Sequence, residues 1–522
     1  MKAARNRCVL AHPAPRCRLT RARLTRILLL GALIAAVPGV ALASGDWPQF
    51  QRDPAHTGFV TAGAQAPLVE AWHVDVPTGG PNGRYGLSSP VLSGGILIAV
   101  GPTQVLGVDL ATGQRRWSVA RDFGPSVPAA TTEIEGKSIV VYTEGFGAHP
   151  PGSPAPATGA TGAPSASPAS PTSSPTGSGS PGAGVPSATF DSHLAAIDVD
   201  TREPLWDPIQ LDRVSRTGVT IDGDVAFVGD NAGTVYAVDV ATGRARWTAK
   251  TGGYVDTPLA AANGRLFVSV QGTRTTSAAV VALSEADGSQ IWRYEANREV
   301  LATAPAVSGG MVVLGLAGVS STVVRAIDAT SGTERWSTPV NTALTPIGAP
   351  AVTPNAVIAQ DVNTQIYRLD PVTGARTWDF TLNEPAIRTS PVVSAAQVLV
   401  ASNGGQLAAL DATTGELVWR SPPSDGLLRN PLVTSDVVVL VRGGTRPGLV
   451  AFVHDPKGRL VRVASPTTID PLRLIGGFAA AAVPLALILL LGGRWMVARA
   501  GPAFGEPDDE LGGDALEEGD EP

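Results

Sequence analysis

From about residue 68 to residue 463 the chain alternates short apolar runs with brief breaks of Gly, Asn, Asp and Thr. One stretch shows the pattern: Val392-Val393-Ser394, then Gln397 to Ala401, then Leu407 to Asp411, then Leu417 to Trp419. Runs this short, parted by residues that tolerate tight turns, predict strands joined by hairpins. Asn403-Gly404 and Asn231-Ala232-Gly233 sit between second and third strands and are read as left-handed turn residues. The Thr-Gly pairs mark a further turn between third and fourth strands.

This four-strand pattern repeats. Val105-Leu-Gly-Val-Asp109-Leu-Ala-Thr112-Gly113-Gln-Arg-Arg-Trp117 returns as Val235-Tyr-Ala-Val-Asp239-Val-Ala-Thr242-Gly243-Arg-Ala-Arg-Trp247. Further copies pair Gly288 with Trp292, Gly332 with Trp336, Gly374 with Trp378 and Gly415 with Trp419, while the copy ending at Trp206 has lost its glycine. Most of these tryptophans precede a proline that opens the next apolar run, and Trp72 reaches Pro90 in the same way. Eight such units, about 44 residues apart and with no helix between them, predict an all-β, eight-bladed β-propeller of four-stranded antiparallel blades over residues 44–470. A β-solenoid would have parallel strands and shorter periods. The last unit has three strands after Pro431, so the segment Leu68–Val76 is expected to supply its outer strand and close the ring. The doubled interval between Trp117 and Trp206 is explained by residues 147–189, a tract of Pro, Ser, Gly, Ala and Thr expected to be a disordered insertion in blade 2.

The ends carry different signals. Arginines up to Arg26, an apolar run from Ile27 to Leu42 and a small-x-small site before Ser44 describe a signal peptide over residues 1–43. Residues 474–493 are uncharged and long enough to span a bilayer, with Arg494, Trp495 and Arg499 behind them. The expected topology is a single-pass cell-membrane protein with the propeller outside the cytoplasm and an acidic, disordered cytoplasmic tail over residues 494–522.

The formal net charge is −6, and with the basic N-terminus and the acidic C-terminal stretch set aside the body remains mildly acidic. That argues against a nucleic-acid binder. Both cysteines, Cys8 and Cys17, precede the body, which therefore has no thiol nucleophile, disulfide or thiolate metal site. The recurrent aspartates Asp109, Asp198, Asp239, Asp328, Asp370 and Asp411 stand at one repeat position, so they are read as turn residues that do not converge on an ion. The histidines are scattered, no metal or catalytic residue is assigned, and the chain is read as no enzyme. Arg84, Tyr85 and Arg274 are candidate contact residues on loops, where propellers place function.

The Ala-x-Asp-x-x-Thr-Gly-x-x-x-Trp repeat, with Trp47-Pro48-Gln49-Phe50-Gln51-Arg52-Asp53-Pro54-Ala55-His56-Thr57-Gly58 ahead of it, resembles the pyrroloquinoline quinone (PQQ)-like β-propeller family. The resemblance implies that Trp72, Trp117, Trp206, Trp247, Trp292, Trp336, Trp378 and Trp419 dock on neighbouring blades. Their seats would be motif glycines such as Gly113, Gly243, Gly288, Gly332, Gly374 and Gly415. Some members are quinoprotein dehydrogenases that hold PQQ and calcium on the axis under a vicinal cysteine pair. Others, like the lipoprotein of the outer-membrane assembly machine, are non-enzymatic platforms. Without body cysteines the second class is nearer. It implies no cofactor, a monomeric propeller, and as partners envelope or membrane proteins or a small ligand at the propeller mouth. A PQQ-dependent dehydrogenase-like oxidoreductase is the alternative.

Overall fold

The computed structural model describes residues 46–76, 86–145, 192–319, 321–341, 348–361, 365–382 and 389–459. The expected signal peptide, the whole Pro/Ser tract over 147–189, the apolar stretch 474–493 and the acidic tail lie outside these residues. Among the described residues no helix is long and apolar enough to cross a membrane.

Eight sheets follow one another along the chain, with consecutive strands paired antiparallel. Blade 1 is Val91–Ser93, Ile96–Val100, Gln104–Asp109 and Arg115–Ala120. Blades 2 to 7 repeat this plan over residues 130–210, 220–250, 260–295, 299–341, 351–381 and 392–420. Blade 8 takes Leu428–Val433, Val437–Arg442 and Gly448–His454 from the C-terminal side, and its outer strand is Leu68–Asp75, paired from Leu68↔His454 to Asp75↔Gly448. The N-terminal segment thus closes the ring as its position in the sequence suggested.

Burial explains the strand patterns. Second and third strands such as Val225–Gly229 and Thr234–Asp239 lie between neighbouring blades and are buried on both faces, hence their near-continuous apolar runs. Fourth strands such as Ala245–Lys250 edge the ring and alternate between exposed and half-buried positions. The hairpins between first and second and between third and fourth strands mark one end of the propeller, the turn end. The remaining connections mark the other, the loop end.

Three details differ from the simple repeat. The left-handed turn residues between second and third strands are Gly405 (φ 75°) and Gly233 (φ 73°) rather than Asn403, Gly404 or Asn231. Blade 5 has a broken inner strand, with Glu299–Ala302 and Ala306–Ser308 both pairing with Met311–Gly318. In blade 2 the chain departs after Thr143 and returns at His193, between second and third strands, and the Glu144 N–H donates to His193 O at 2.7 Å. The insertion therefore leaves and re-enters through paired ends.

Candidate functional site: the strapped propeller axis

Six of the eight blade junctions seat one tryptophan on the glycine of a tight turn, and in five of them an aspartate holds that turn. Asp109 Oδ1 accepts from the Thr112 N–H at 2.9 Å and its hydroxyl at 2.8 Å, while Oδ2 accepts from Arg116. The Arg116 hydrogen bond, with those from Thr112, holds the Asp109 carboxyl down to about 2. Asp239, Asp328, Asp370, Asp411 and Asp198 each bond their own turn in the same way. Every one of these carboxylates is occupied locally.

The turn ends in a glycine on which the preceding blade rests. The Trp336 indole N–H donates to Pro371 O at 2.9 Å, and a methyl added to Gly374 would stand 2.6 Å from its ring. Trp72 on Gly113, Trp206 on Gly243, Trp247 on Gly288, Trp292 on Gly332 and Trp378 on Gly415 make the same joint. Their N–H groups donate to Leu110, Val240, Glu285, Ala329 and Ala412 carbonyls at 2.8–3.2 Å. Glycine is needed there twice over, since Gly374 also has φ 70°. Blade 2 lacks it: Arg202 holds the left-handed position at φ 63°. Trp117, which faces that turn, packs beside Val199 and lies back onto Gly107 of its own blade, where any Cβ would collide with the indole. Trp419 packs into the blade 8 core.

The sequence reading missed the largest feature of the axis. Residues 47–64 run once around the inside of the ring, bonding in chain order to the innermost strands of blades 1 to 7 and then beside that of blade 8. Trp47 exchanges two backbone bonds with Leu92 of blade 1, and Pro48 O accepts from Thr131 N–H of blade 2 at 2.7 Å. The Gln49 amide pairs with both backbone groups of Ile221 in blade 3, at 2.8 and 3.0 Å. Pro54 O, Ala55 O, Thr57 O and Gly58 O then accept from Ala261, Val307, Val352 and Val393 of blades 4 to 7, at 2.7–2.9 Å. Phe59–Val60 adds a parallel strand to blade 7, and Ala64 N–H reaches Thr434 O beside blade 8. Gln49, Gln51 and His56 are all buried. Gln51, Arg52 and His56 take positive φ of 54°, 83° and 56°, a strained path stabilised by this ring of bonds. The Asp53 carboxylate accepts from Thr57, and burial pushes its pKa upward against that bond. His56 donates from Nδ1 to Pro305 O at 3.1 Å and stacks edge-on against Phe50. Complete burial lowers its pKa to about 4, so the ring is neutral. Two glutamines inside a Trp-Phe segment, where no strand alternation exists, were the available signal.

On the loop-end side of this strap a cavity of about 170 Å³ opens along the axis. Phe50 belongs to its lining, with Thr257, Thr303, Ala349, Ser390 and Asn430 on the inner-strand entries of blades 4 to 8. The other lining residues are Ala, Gly, Leu and Pro. PQQ is a fused-ring tricarboxylate and calcium needs oxygen donors with charge. Among the described residues the lining holds no charged side chain, and the volume is below that of a cofactor-sized pocket, so these residues do not fit that pair. Among the described residues no group of three or more His, Asp or Glu side chains could hold a metal. Arg274 lies in an exposed loop at the loop end, whereas Arg84 and Tyr85 fall outside the described residues.

Similarity to known proteins follows the same lines. The family described as outer membrane protein assembly factor BamB matches at residues 191–359, 256–386 and 362–465, together more than half of the chain. BamB of Nitrosomonas eutropha is 25% identical over 47% of this chain and 64% of its own length, and BamB of Burkholderia pseudomallei 27% over 48% and 56%. The chain therefore spans less than two thirds of either relative. The crystal structure of BamB from Moraxella catarrhalis superposes with a TM-score of 0.51 at 15% identity, over 74% of this chain and 99% of that one. A quinohemoprotein alcohol dehydrogenase from Pseudomonas putida superposes with 0.55 at 12% identity, over 81% and 82%. Both share the fold. The chain belongs to the PQQ-like β-propeller family described as outer membrane protein assembly factor BamB.

Proposed function

We propose that this protein is an exported, membrane-tethered propeller that acts as a non-catalytic, cofactor-free binding platform for proteins of the cell envelope. The observation that carries the reading is the filled axis. In a propeller the axis is where a cofactor or reacting group would be enclosed, and here the chain's own strap runs across it beneath a mouth whose described lining residues carry no charge. The ring tryptophans are committed to blade joints, which leaves the exposed loops for recognition. The tether is the uncharged sequence 474–493, with the propeller on the extracytoplasmic side as a single pass and a monomer.

The test is site-specific photocrosslinking in cells. A crosslinker at Arg274, on the loop end, is expected to capture a small set of envelope proteins, and one at Thr413, on the turn end, far fewer. A protein that instead takes up PQQ with calcium and reduces a dye in the presence of alcohol is an enzyme, and the platform reading fails.

A further inference from the structure

We propose that the loop end of blades 2 to 5 is a docking arc for a partner protein that presents a run of acidic side chains. The inference rests on the platform reading and names the chemistry that this face recognises. The arc is continuous through its backbone. Asn231 N–H donates to Val214 O at 3.0 Å, Thr251 N–H to Gly233 O at 2.8 Å, Gln271 N–H to Tyr254 O at 2.8 Å and Gly272 N–H to Val300 O at 2.7 Å. Arg216, Arg274 and Arg298 each stand two residues from one of these bonds, and Tyr254 takes part in one.

The three arginines are exposed, and among the described residues none has a carboxylate partner. Elsewhere exposed guanidinium groups are occupied: Arg116, Arg246 and Arg335 each pair with the aspartate of their own turn. The acids of the arc are engaged as well. Asp212 pairs with Lys250 at 2.9 Å, Asp230 is buried against the Tyr236 hydroxyl, and Glu299 is buried with Arg325. Asp256 is half-buried near Tyr254. The stretches that join the arc along the chain outside the described residues, 146–191 and residue 320, contain one acid between them, Asp191. One carboxylate cannot serve three guanidinium groups, so the arc is positive on a chain whose net charge is −6.

A neutral surface laid over the arc would desolvate these groups without compensation. Carboxylates fit them through paired, charge-assisted hydrogen bonds. Tyr254, 36% exposed and within reach of the Arg216 charge, adds an aromatic face of the kind that anchors protein contacts. An anionic bilayer fits less well. It is a plane that would meet the whole loop end, where basic groups outside the arc such as Arg446 are tied to Asp75 and Asp425.

The test is fluorescence anisotropy of a labelled Glu-Ser-Asp-Gly repeat peptide against the full chain in zwitterionic lipid nanodiscs, with empty nanodiscs as blank. It should bind at least about tenfold more tightly than its neutral Gln-Ser-Asn-Gly counterpart. Arg216→Gln, Arg274→Gln and Arg298→Gln combined, with the melt checked, should weaken it about tenfold, the sum of three exposed ion pairs. Arg115→Gln with Arg244→Gln, at the turn end, should leave binding unchanged. Equal binding of the two peptides, or a triple variant that binds as well as the turn-end variant, overturns the proposal. So does displacement of the peptide by phosphatidylglycerol vesicles at equal negative charge, which would give the arc to lipid. Binding that appears only in a chain ending at residue 500 would give it to the chain's own acidic tail, and overturns the proposal too. Each of these failures leaves the crosslinking result at Arg274 standing, so the platform reading is judged separately.

Discussion

The indole N–H of Trp72 donates to Leu110 O at 2.9 Å, joining blade 1 to the blade 8 strand that closes the ring. The joint is the same one used between blades 3 and 4 or 5 and 6, so the seam is not a weak point of special design. Ring closure has two supports here. One is the outer strand that carries Trp72, and the other is the strap that bonds the inner strands from within.

If the tryptophan joints carry the inter-blade packing, truncating one should cost as much as opening a core. Trp336→Ala is expected to lower stability by about 3–5 kcal/mol. Trp117→Ala should cost distinctly less, because that indole is only partly buried and its seat on blade 2 lacks glycine. Denaturant midpoints for the two variants provide the check, and equal losses would mean the glycine seat contributes nothing.

Arg202 occupies a left-handed position that the other turns give to glycine. An L-residue there costs ~1–2 kcal/mol, and glycine returns part of that as unfolded-chain entropy. Arg202→Gly is therefore expected to stabilise the protein by about 0.5–1 kcal/mol, read as a raised melting temperature.

Gln49 does for blade 3 what a backbone strand would do, bonding both the N–H and C=O of Ile221 while buried. Gln49→Ala removes two bonds and strands both backbone groups, a loss of about 2–4 kcal/mol. Faster amide exchange at Ile221 should accompany it. A variant as stable as the parent would show that the strap is decoration rather than a support of the ring.

These cases show what the sequence could and could not reveal. The blade count, the strand order and the outer strand from Leu68 were legible, because a period of apolar runs must be buried on both faces and Asp-x-x-Thr-Gly fixes each turn. The strap was not. Its bonds are made one blade at a time by carbonyls of Pro48, Pro54, Ala55 and Thr57, which every residue type possesses, so no side-chain pattern records them. Only Gln49 and Gln51, set within a Trp-Phe segment, hinted at it, and the structure shows both buried. The mouth likewise depends on which residues the strap brings beneath it, and Phe50 reads as an ordinary aromatic until the strap is placed.

One fully buried group, His56 in the strap, and one half-buried group, Glu285 at a blade junction, give stability a pH dependence of opposite sign. Folded His56 resists protonation until about 4, because it is fully buried, while an unfolded imidazole titrates near 6.5. Its contribution is whole above about pH 6.5 and is lost as pH falls towards 4, on the order of 3 kcal/mol in all. Glu285 lies where blades 3 and 4 meet, with Trp247 bonded to its carbonyl. Burial first, and then the neighbouring Asp222 carboxyl, raise Glu285 to about 7 from 4.5. Its unfolded form ionises earlier than its folded form, so this term is best below about pH 4.5 and declines as pH rises to 7. Between those limits the two slopes oppose, and the parent should show a shallow profile. His56→Asn keeps a residue that accepts positive φ and a donor for Pro305 O, yet cannot titrate. Its stability should fall with rising pH across the window. Glu285→Gln should do the reverse, with stability rising with pH. Urea unfolding at intervals of pH reads both, and parallel profiles for the two variants would remove His56 and Glu285 as the source.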